Sequence, residues 1–354
     1  MRLLTIGSDR NLFDEDSAVS KRVRAYASRF EKIDIIVFSR RSHGKSKVSF
    51  GNVSVYPTHS YSRFLYGLDA RKIARTLEKP DVVDTQDPFE AGLVGLWLSR
   101  KYKVSLHVQI HTDLTSTYFK SVGLNRIRIA IARKVLAQAA RVRVVSGKIK
   151  EGILKEFSVT ASISVLPIFV DVQRFANTQI PSELVSRFLQ FKNKLLVVSR
   201  LEPEKNPCAA LRAFAASASK DACLILLGEG SERELLQNLA RKLGVETRVF
   251  FEGYKDPAVY YKLADLVLVT SKYEGYGMTI VEALATGTPV LSVDVGVAKE
   301  AGAIIAPQEQ FAAALKNWFA NGEKKGLLKD YPYKTEEEYM EAYAQDIKKT
   351  AENN

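Results

Sequence analysis

Two carboxylates, Glu274 and Glu282, stand eight positions apart, with Gly275 and Gly277 between them and an apolar run, Leu266 to Val269, ahead of them. The run reads as a buried parallel strand, and Met278 to Ala285 has the composition of a helix that stops at Gly287 and Pro289. A strand, a glycine loop and a helix in that order present unpaired N–H groups and the positive end of a helix dipole, which suits a phosphate. The backbone amides of Met278 and Thr279, beside Gly277, add to that neutralisation. Eight positions are about two helical turns, so one carboxylate reaches a polyhydroxyl ring while the other meets a second hydroxyl cluster. Carboxylates flanking an anion site point to a nucleotide sugar. Arg200 and Lys205 follow another apolar run, Leu195 to Val198. A planar guanidinium fork and a compact ammonium both suit a diphosphate whose charge grows as it leaves.

The glutamate pair, followed by Ala283-Leu284-Ala285-Thr286-Gly287-Thr288-Pro289-Val290, closely resembles the signature of glycosyltransferase family 4, retaining enzymes of GT-B fold. Val198-Ser199-Arg200-Leu201, with Glu204-Lys205-Asn206-Pro207 after it, is similar to the family's phosphate-binding segment. Leu227-Gly228-Glu229-Gly230 and Phe251-Glu252-Gly253-Tyr254 fall in the family's order, and the match covers most of residues 195 to 307. The resemblance implies an α/β protein of GT-B type, two Rossmann-like doubly wound domains facing a central cleft. It implies that Glu282 holds ribose hydroxyls, that Glu274 holds a hydroxyl of the donor sugar, and that Gly253 and Tyr254 offer backbone to the base. Gly275, Tyr276, Gly277, Met278 and Thr279 would complete the donor site with Arg200 and Lys205.

His111 ends the strand Val104 to Ile110, and it matches the histidine that members of the family commonly place beside the transferred sugar. The implied catalytic group is then His111, Glu274, Arg200 and Lys205. It retains configuration by front-face attack, the donor phosphate takes the acceptor proton, and neither a metal nor another cofactor is required. The implied donor is a UDP- or GDP-sugar, and the implied acceptor is a glycan, a lipid or a small molecule.

The elements that must carry these residues alternate regularly. In the first half, strands are expected at Arg2 to Ile6, Ile33 to Phe38, Val53 to Tyr56, Asp81 to Thr85, Val104 to Ile110, Val142 to Val145 and Ile163 to Leu166. Helices are expected at Ser17 to Phe30, Arg63 to Leu77 and Phe89 to Ser99, with a basic turn segment at Arg40 to Phe50. In the second half, strands at Leu195 to Val198, Cys223 to Leu227, Val249 to Phe251, Leu266 to Val269 and Val290 to Ser292 alternate with helices at Pro207 to Ala218, Ser231 to Leu243 and Pro257 to Leu263. The expected division is a first domain at 1–174, a linker at 175–194, a donor domain at 195–334 and a charged terminal helix within 335–354 that returns to the first domain. Two places depart from the family pattern. The loop from Gly7 to Asp16 keeps one glycine, and Ile168 and Phe169 stand where the family carries a polar pair.

At 354 residues and 46% apolar composition, the chain has enough length for two full cores. No apolar run approaches the roughly 20 residues that cross a bilayer, and the opening residues do not read as a signal peptide, so a cytoplasmic protein is expected. Cys208 and Cys223 are expected to be reduced. The net charge of +12 belongs to the first half, where residues 1–180 hold 30 Lys and Arg against 16 Asp and Glu; the rest holds 22 against 24. A basic half implies either plain solubility or an anionic partner such as lipid headgroups, a phosphorylated acceptor or nucleic acid. Tyr118 to Phe157 holds ten basic side chains, and Leu124, Ile127, Ile131 and Val135 recur there at helical spacing beside Arg126, Arg128, Arg133 and Lys134. That basic amphipathic helix is either an ordinary packed helix or a peripheral membrane contact on the cytoplasmic face. Asp14-Glu15-Asp16 reads as the acid start of a helix capped by Ser17 rather than as a metal site. His107 reads as a packing residue. A nicotinamide oxidoreductase is disfavoured because the first strand lacks Gly-x-Gly-x-x-Gly, and a nucleic-acid binder because no recognised motif appears. An epimerase of GT-B type, acting on the sugar nucleotide without an acceptor, is the nearer rival.

Overall fold

The near-continuous apolar runs of the first half form one sheet in the computed structural model, which describes residues 1–217 and 219–352. Its strands are β1 (Arg2–Gly7), β2 (Lys32–Val37), β3 (Val48–Phe50), β4 (Val53–Pro57), β5 (Val82–Thr85), β6 (Ser105–Ile110), β7 (Arg141–Val144) and β8 (Ser162–Val165). Their order is β3-β4-β2-β1-β5-β6-β7-β8, parallel throughout except that β3 runs against β4. Crossover helices α1 (Ala18–Ala27), α2 (Tyr66–Ala74), α3 (Glu90–Tyr102), α4 (Thr117–Ser121), α5 (Gly123–Leu136) and α6 (Gly147–Glu156) cover the sheet, and its inner strands are buried, with Asp84 of β5, His107 and Gln109 of β6 and Arg143 of β7 as polar residues among the apolar ones. β3 corrects the turn expected over Arg40 to Phe50. The short run Val48-Ser49-Phe50 meets Val53-Ser54-Val55 across Gly51 and Asn52, which close a two-residue hairpin. The helix over Arg63 to Leu77 is shorter than expected, a 3-10 turn at Arg63–Leu65 leading into α2. Ser17 caps α1, its hydroxyl accepting from the Ser20 amide at 3.1 Å, and Glu15 pairs with Arg24 at 2.6 Å.

α5 settles with a different face inward from the one expected. Asn125, Ile129, Ala132, Val135 and Leu136 are buried, while Leu124 and Ile127 are exposed. The helix packs on α3, where Val135 lies against Gly92, and that contact sets its rotation. The stripe Leu124, Ile127, Ile131, Val135 is therefore split between interior and surface.

The second sheet has β9 (Asn193–Val198), β10 (Ala222–Leu227), β11 (Val249–Gly253), β12 (Leu266–Val269), β13 (Val290–Ser292) and β14 (Ile304–Ile305), all parallel, in the order β11-β10-β9-β12-β13-β14. Its helices are α7 (Val172–Ala176), α8 (Ser182–Arg187), α9 (Pro207–Ser217), α10 (Arg233–Lys242), α11 (Pro257–Leu263), α12 (Met278–Ala285), α13 (Ala298–Ala301) and α14 (Phe311–Asn321). Ala218, the expected end of the helix at Pro207, lies outside the described residues, as do Asn353 and Asn354. The core joins Leu195, Leu224, Leu226, Leu268 and Leu291 of the strands to Phe214 of α9 and to Phe311, Leu315 and Trp318 of α14. No element was expected over α14. Its buried residues recur at i, i+4 and i+7 and seat it on α9.

By internal packing the chain divides into Met1–Pro167 with the segment from Thr335 onward, and Ile168–Lys334. The division falls seven residues before the expected boundary, and the stretch expected as a linker, 175–194, lies inside the second unit. Phe188 is fully buried there with its ring 5.1 Å edge-on from Phe250, so tertiary packing holds a segment whose polar composition reads as a connector. The last helix, α15 (Glu336–Ala351), has three glutamates in its first turn and two lysines in its last, both favoured by the helix dipole. It packs on β5, β6 and α1, burying Tyr339, Met340, Tyr343 and Ile347. No helix among the described residues is long and apolar enough to cross a membrane.

Candidate active site

In the second sheet, β9, β10 and β11 step one way from the centre while β12, β13 and β14 step the other. Strand order therefore reverses between β9 and β12, and open α/β sheets bind ligands outside the carboxyl ends of the strands at such a point. The loop after β9 carries Arg200 and Lys205, and the loop after β12 carries Glu274 to Gly277. Lys205 Nζ lies 2.6 Å from Glu274 Oε1, both side chains largely buried, and the Ser271 hydroxyl donates to the same oxygen at 2.8 Å. The two loops are also laced by their backbones, with Lys272 N donating to Glu204 O at 2.9 Å and Thr270 Oγ1 to Asn206 O at 2.9 Å. Arg200 is exposed and held by Glu204 at 2.7 Å.

Gly277 precedes α12 with φ +91°, a conformation that strains any L side chain, and no side chain caps this helix. The loop is braced from behind at Gly296, where a Cβ would lie 2.1 Å from Tyr276 O, and where Val297 N donates to that same carbonyl at 2.8 Å. Tyr276 has its side chain buried, so only its backbone is placed to meet a ligand. Met278 is partly exposed and Thr279 half-buried. Glu282, one turn on, is half-buried, and its Oε2 accepts from the Tyr261 hydroxyl at 2.9 Å. Burial lifts its carboxyl above the ordinary range, against the Tyr261 hydrogen bond and the Arg174 charge, which lower it.

Gly253 ends β11 and Tyr254 is exposed beyond it. The turn is fixed from the residue before it. The Glu252 side chain is almost fully buried and is held by Arg187 at 2.5 Å, Lys255 at 2.6 Å and Tyr260 at 2.8 Å. Burial raises that carboxyl, and the three donors outweigh burial and bring it below its ordinary range. Glu252, Ser271 and Tyr261 lie outside the set of residues expected at the site. A glutamate inside the Phe-Glu-Gly-Tyr run is a visible signal, whereas nothing local marks Tyr261 as the partner of a residue 21 positions on.

His111 belongs to the first unit, half-buried at the carboxyl end of β6. Desolvation first, then the positive charge of Arg143, hold its imidazole neutral, pushed down to about 3. A neutral ring there offers one donor and one acceptor to a hydroxyl. Four residues earlier, on the same face of β6, His107 does more than pack. Its Nδ1 lies 2.7 Å from Asp84 and its Nε2 3.0 Å from Asp346 of α15, all three buried. Arg141 adds a contact of 2.5 Å to Asp346, and Gln109 donates to Asp84 at 3.0 Å.

Residues 185–335 match the family model for glycosyl transferases group 1, and residues 20–174 the model for glycosyltransferase family 4. The chain belongs to this family. Among curated relatives it is 28% identical over 226 residues to alpha-monoglucosyldiacylglycerol synthase of Streptococcus pneumoniae, a match covering 60% of this chain and 51% of that protein. It is 39% identical over 111 residues to D-inositol 3-phosphate glycosyltransferase of Nocardia farcinica, covering 28% and 25%. The matches thus span about half the length of the curated relatives, or less. Sucrose-phosphate synthase from Thermosynechococcus elongatus shares the fold with a TM-score of 0.74 at 18% identity, covering 99% of this chain and 96% of that one. Anabaena HepE in complex with UDP and glucose does so with a TM-score of 0.69 at 19% identity, covering 98% and 95%. The chain thus has the GT-B architecture of two parallel-sheet α/β domains.

Proposed function

We propose that the chain is a retaining glycosyltransferase that moves a sugar from a UDP- or GDP-sugar to an acceptor hydroxyl without a divalent metal. The observation that supports this reading is the β9/β12 switch point, whose loops carry the Lys205–Glu274 pair and lead into the uncapped start of α12, with the half-buried Glu282 one turn further on. Arg200, Lys205 and the amides of Met278 and Thr279 take the diphosphate, supplying fixed positive charge where the leaving group becomes more negative. Glu282 takes the ribose hydroxyls with Tyr261 holding its other side, Glu274 takes a hydroxyl of the sugar, and the Gly253–Tyr254 turn meets the base. His111 meets a hydroxyl near the anomeric carbon as a neutral imidazole. The phosphate that leaves also accepts the acceptor's proton, so no side chain need form a covalent intermediate.

The acceptor is a glycan, a lipid or a small molecule. Exposure of Leu124 and Ile127 on α5, beside the exposed Arg126, Arg133 and Lys134, supports peripheral contact with an anionic membrane. A thermal-shift panel of uridine, guanosine, adenosine and thymidine diphosphates tests the donor assignment. One diphosphate should raise the melting temperature of the wild type. Glu282→Ala should weaken that ligand about tenfold or more, the worth of a hydrogen bond to a charged group. No response to any diphosphate at about millimolar concentration would remove the reading. Product formed from sugar nucleotide alone would turn it into an epimerase.

A further inference from the structure

At the carboxyl edge of the first sheet, the loops after β1, β2 and β4 come together, because these three strands are parallel neighbours. Each loop opens into a 3-10 turn, at Arg10–Phe13, Arg41–His43 and Arg63–Leu65, and each turn begins with an arginine. The loops are tied to one another. Arg41 N donates to Ser60 O at 3.1 Å, Ser60 N to Ser39 O at 2.9 Å, and Arg10 Nη1 lies 2.9 Å from His43 Nε2. The Arg41 guanidinium sits over the Tyr61 ring, 4.1 Å from its centroid.

The cluster is rich in donors and short of acceptors. Arg10, Arg40, Arg41, Lys45 and Arg63 have no carboxylate within ion-pairing distance among the described residues, whereas Arg2, Arg24, Arg29 and Arg128 elsewhere on this unit are paired with carboxylates. His43 faces two donors, the Arg10 guanidinium on Nε2 and the Arg40 amide on Nδ1 at 3.0 Å. A neutral imidazole has one acceptor nitrogen, so only one of those contacts can be a hydrogen bond. Desolvation first, then the charges of Arg10, Arg40, Lys45 and Arg63, lower the affinity of the ring for a proton. An anion with several oxygens would satisfy the surplus donors and neutralise the charge at once.

We infer that Arg10, Arg40, Arg41 and Arg63, gathered about His43 at the carboxyl edge of β1, β2 and β4, bind a phosphate group, and that this group belongs to the acceptor. The binding stands on the cluster alone, and its assignment to the acceptor rests on the transferase reading. Two sources offer the same chemistry, a soluble phosphate ester and a lipid headgroup. Phe64, 97% exposed beside Arg63, provides the means to tell them apart, because an apolar ring contributes only where an acyl layer receives it.

The full chain has four histidines, so the His43 imidazole can be followed by NMR and assigned with a His43→Gln variant. Glycerol 3-phosphate is titrated in one arm, and vesicles of phosphatidylcholine with phosphatidylglycerol in the other. The expected result is an upward shift of the His43 titration with at least one probe. Arg40→Gln with Arg63→Gln should weaken that probe about tenfold or more, while Arg241→Gln, an exposed arginine of the second unit, should not. If Phe64→Ser weakens vesicles and leaves glycerol phosphate alone, the phosphate is a headgroup; if only glycerol phosphate binds, it is a soluble ester. An unmoved His43 with both probes, together with binding indifferent to the double variant, overturns the site. The thermal shift with nucleotide diphosphates is measured on the same variants. Nucleotide binding with an unmoved His43 and binding indifferent to the double variant removes this site alone, and a shifted His43 without nucleotide binding leaves the phosphate site standing but removes the transferase reading and with it the acceptor assignment.

Discussion

The Glu282 carboxylate lies half-buried in the second turn of α12, with the Tyr261 hydroxyl 2.9 Å away, and burial raises its pKa. A carboxyl whose folded pKa lies above its unfolded value holds its proton more tightly in the native state, so its ionised form at neutral pH weakens the fold. The same ionised form is the better acceptor for ribose hydroxyls. Glu282→Gln, which can still accept from Tyr261, should therefore melt at or above the wild-type temperature, while nucleotide diphosphate affinity falls about tenfold. Wild-type affinity should also decline as pH drops through the raised carboxyl pKa, and the Gln variant should lose that dependence. Paired melting curves and isothermal titrations at a few pH values measure both. A Gln variant that melts lower and binds normally would make Glu282 a structural residue.

α12 shows how an element is used as well as formed. Its sequence, Met278 to Ala285, is apolar enough to be buried on one side through Ile280, Val281, Ala283 and Leu284, and that burial anchors the helix so that its first turn can stay uncapped. Gly277 supplies the left-handed residue that turns the chain into it. Gly277→Ala would place a Cβ 3.1 Å from Ile280 Cδ1 and hold an L residue at φ +91°, a conformation that costs about 1–2 kcal/mol. Diphosphate affinity should fall by more than stability, because the amides of Met278 and Thr279 would swing away from the anion. Chemical denaturation and nucleotide titration of the variant measure the two losses. Equal losses would place Gly277 in the fold alone.

At the scale of the first unit, α15 is fastened to the sheet by charge as well as by its apolar stripe. Burial alone would lower the His107 pKa, but hydrogen bonds to Asp346 and Asp84 outweigh it and raise it. Asp346, which burial alone would raise, is brought down to about 2 by His107 and Arg141. The His107 contribution is therefore complete below the ordinary histidine range, about pH 6.5, and is lost as pH rises through its raised pKa. The Asp346 contribution is complete above the ordinary aspartate range, about pH 4, and is lost as pH falls toward about 2. Stability of this unit should be greatest between those limits. Asp346→Asn should lower it by about 3 kcal/mol, since a buried imidazolium and the Arg141 guanidinium lose their shared partner, and should flatten both limbs. Denaturation curves across the pH range check this, and a profile unchanged in the Asn variant would leave the apolar stripe as the whole attachment.

How much of this was legible differs from place to place. The glutamate spacing, the glycines and the apolar runs mark the β12–α12 unit, because strand, turn and helix start are all local in sequence, and the α12 bounds are those expected from its flanking residues. The same local logic fails at 175–194 and at α14, whose places depend on Phe250 and α9, partners that come from other stretches of chain. It fails again on α5, where the rotation is set by α3 and not by the helix's own stripe. His107 looked like packing because its two carboxylates lie 23 and 239 positions away. The arginines about His43 are scattered over three loops that become neighbours only when β1, β2 and β4 align. Sequence alone therefore determined the elements and the chemistry held within one turn or loop, which follow from short-range backbone and periodicity. Tertiary structure alone decided which charges are paired, buried or left without a counterion, because those properties depend on strand order and on side chains brought together across the chain.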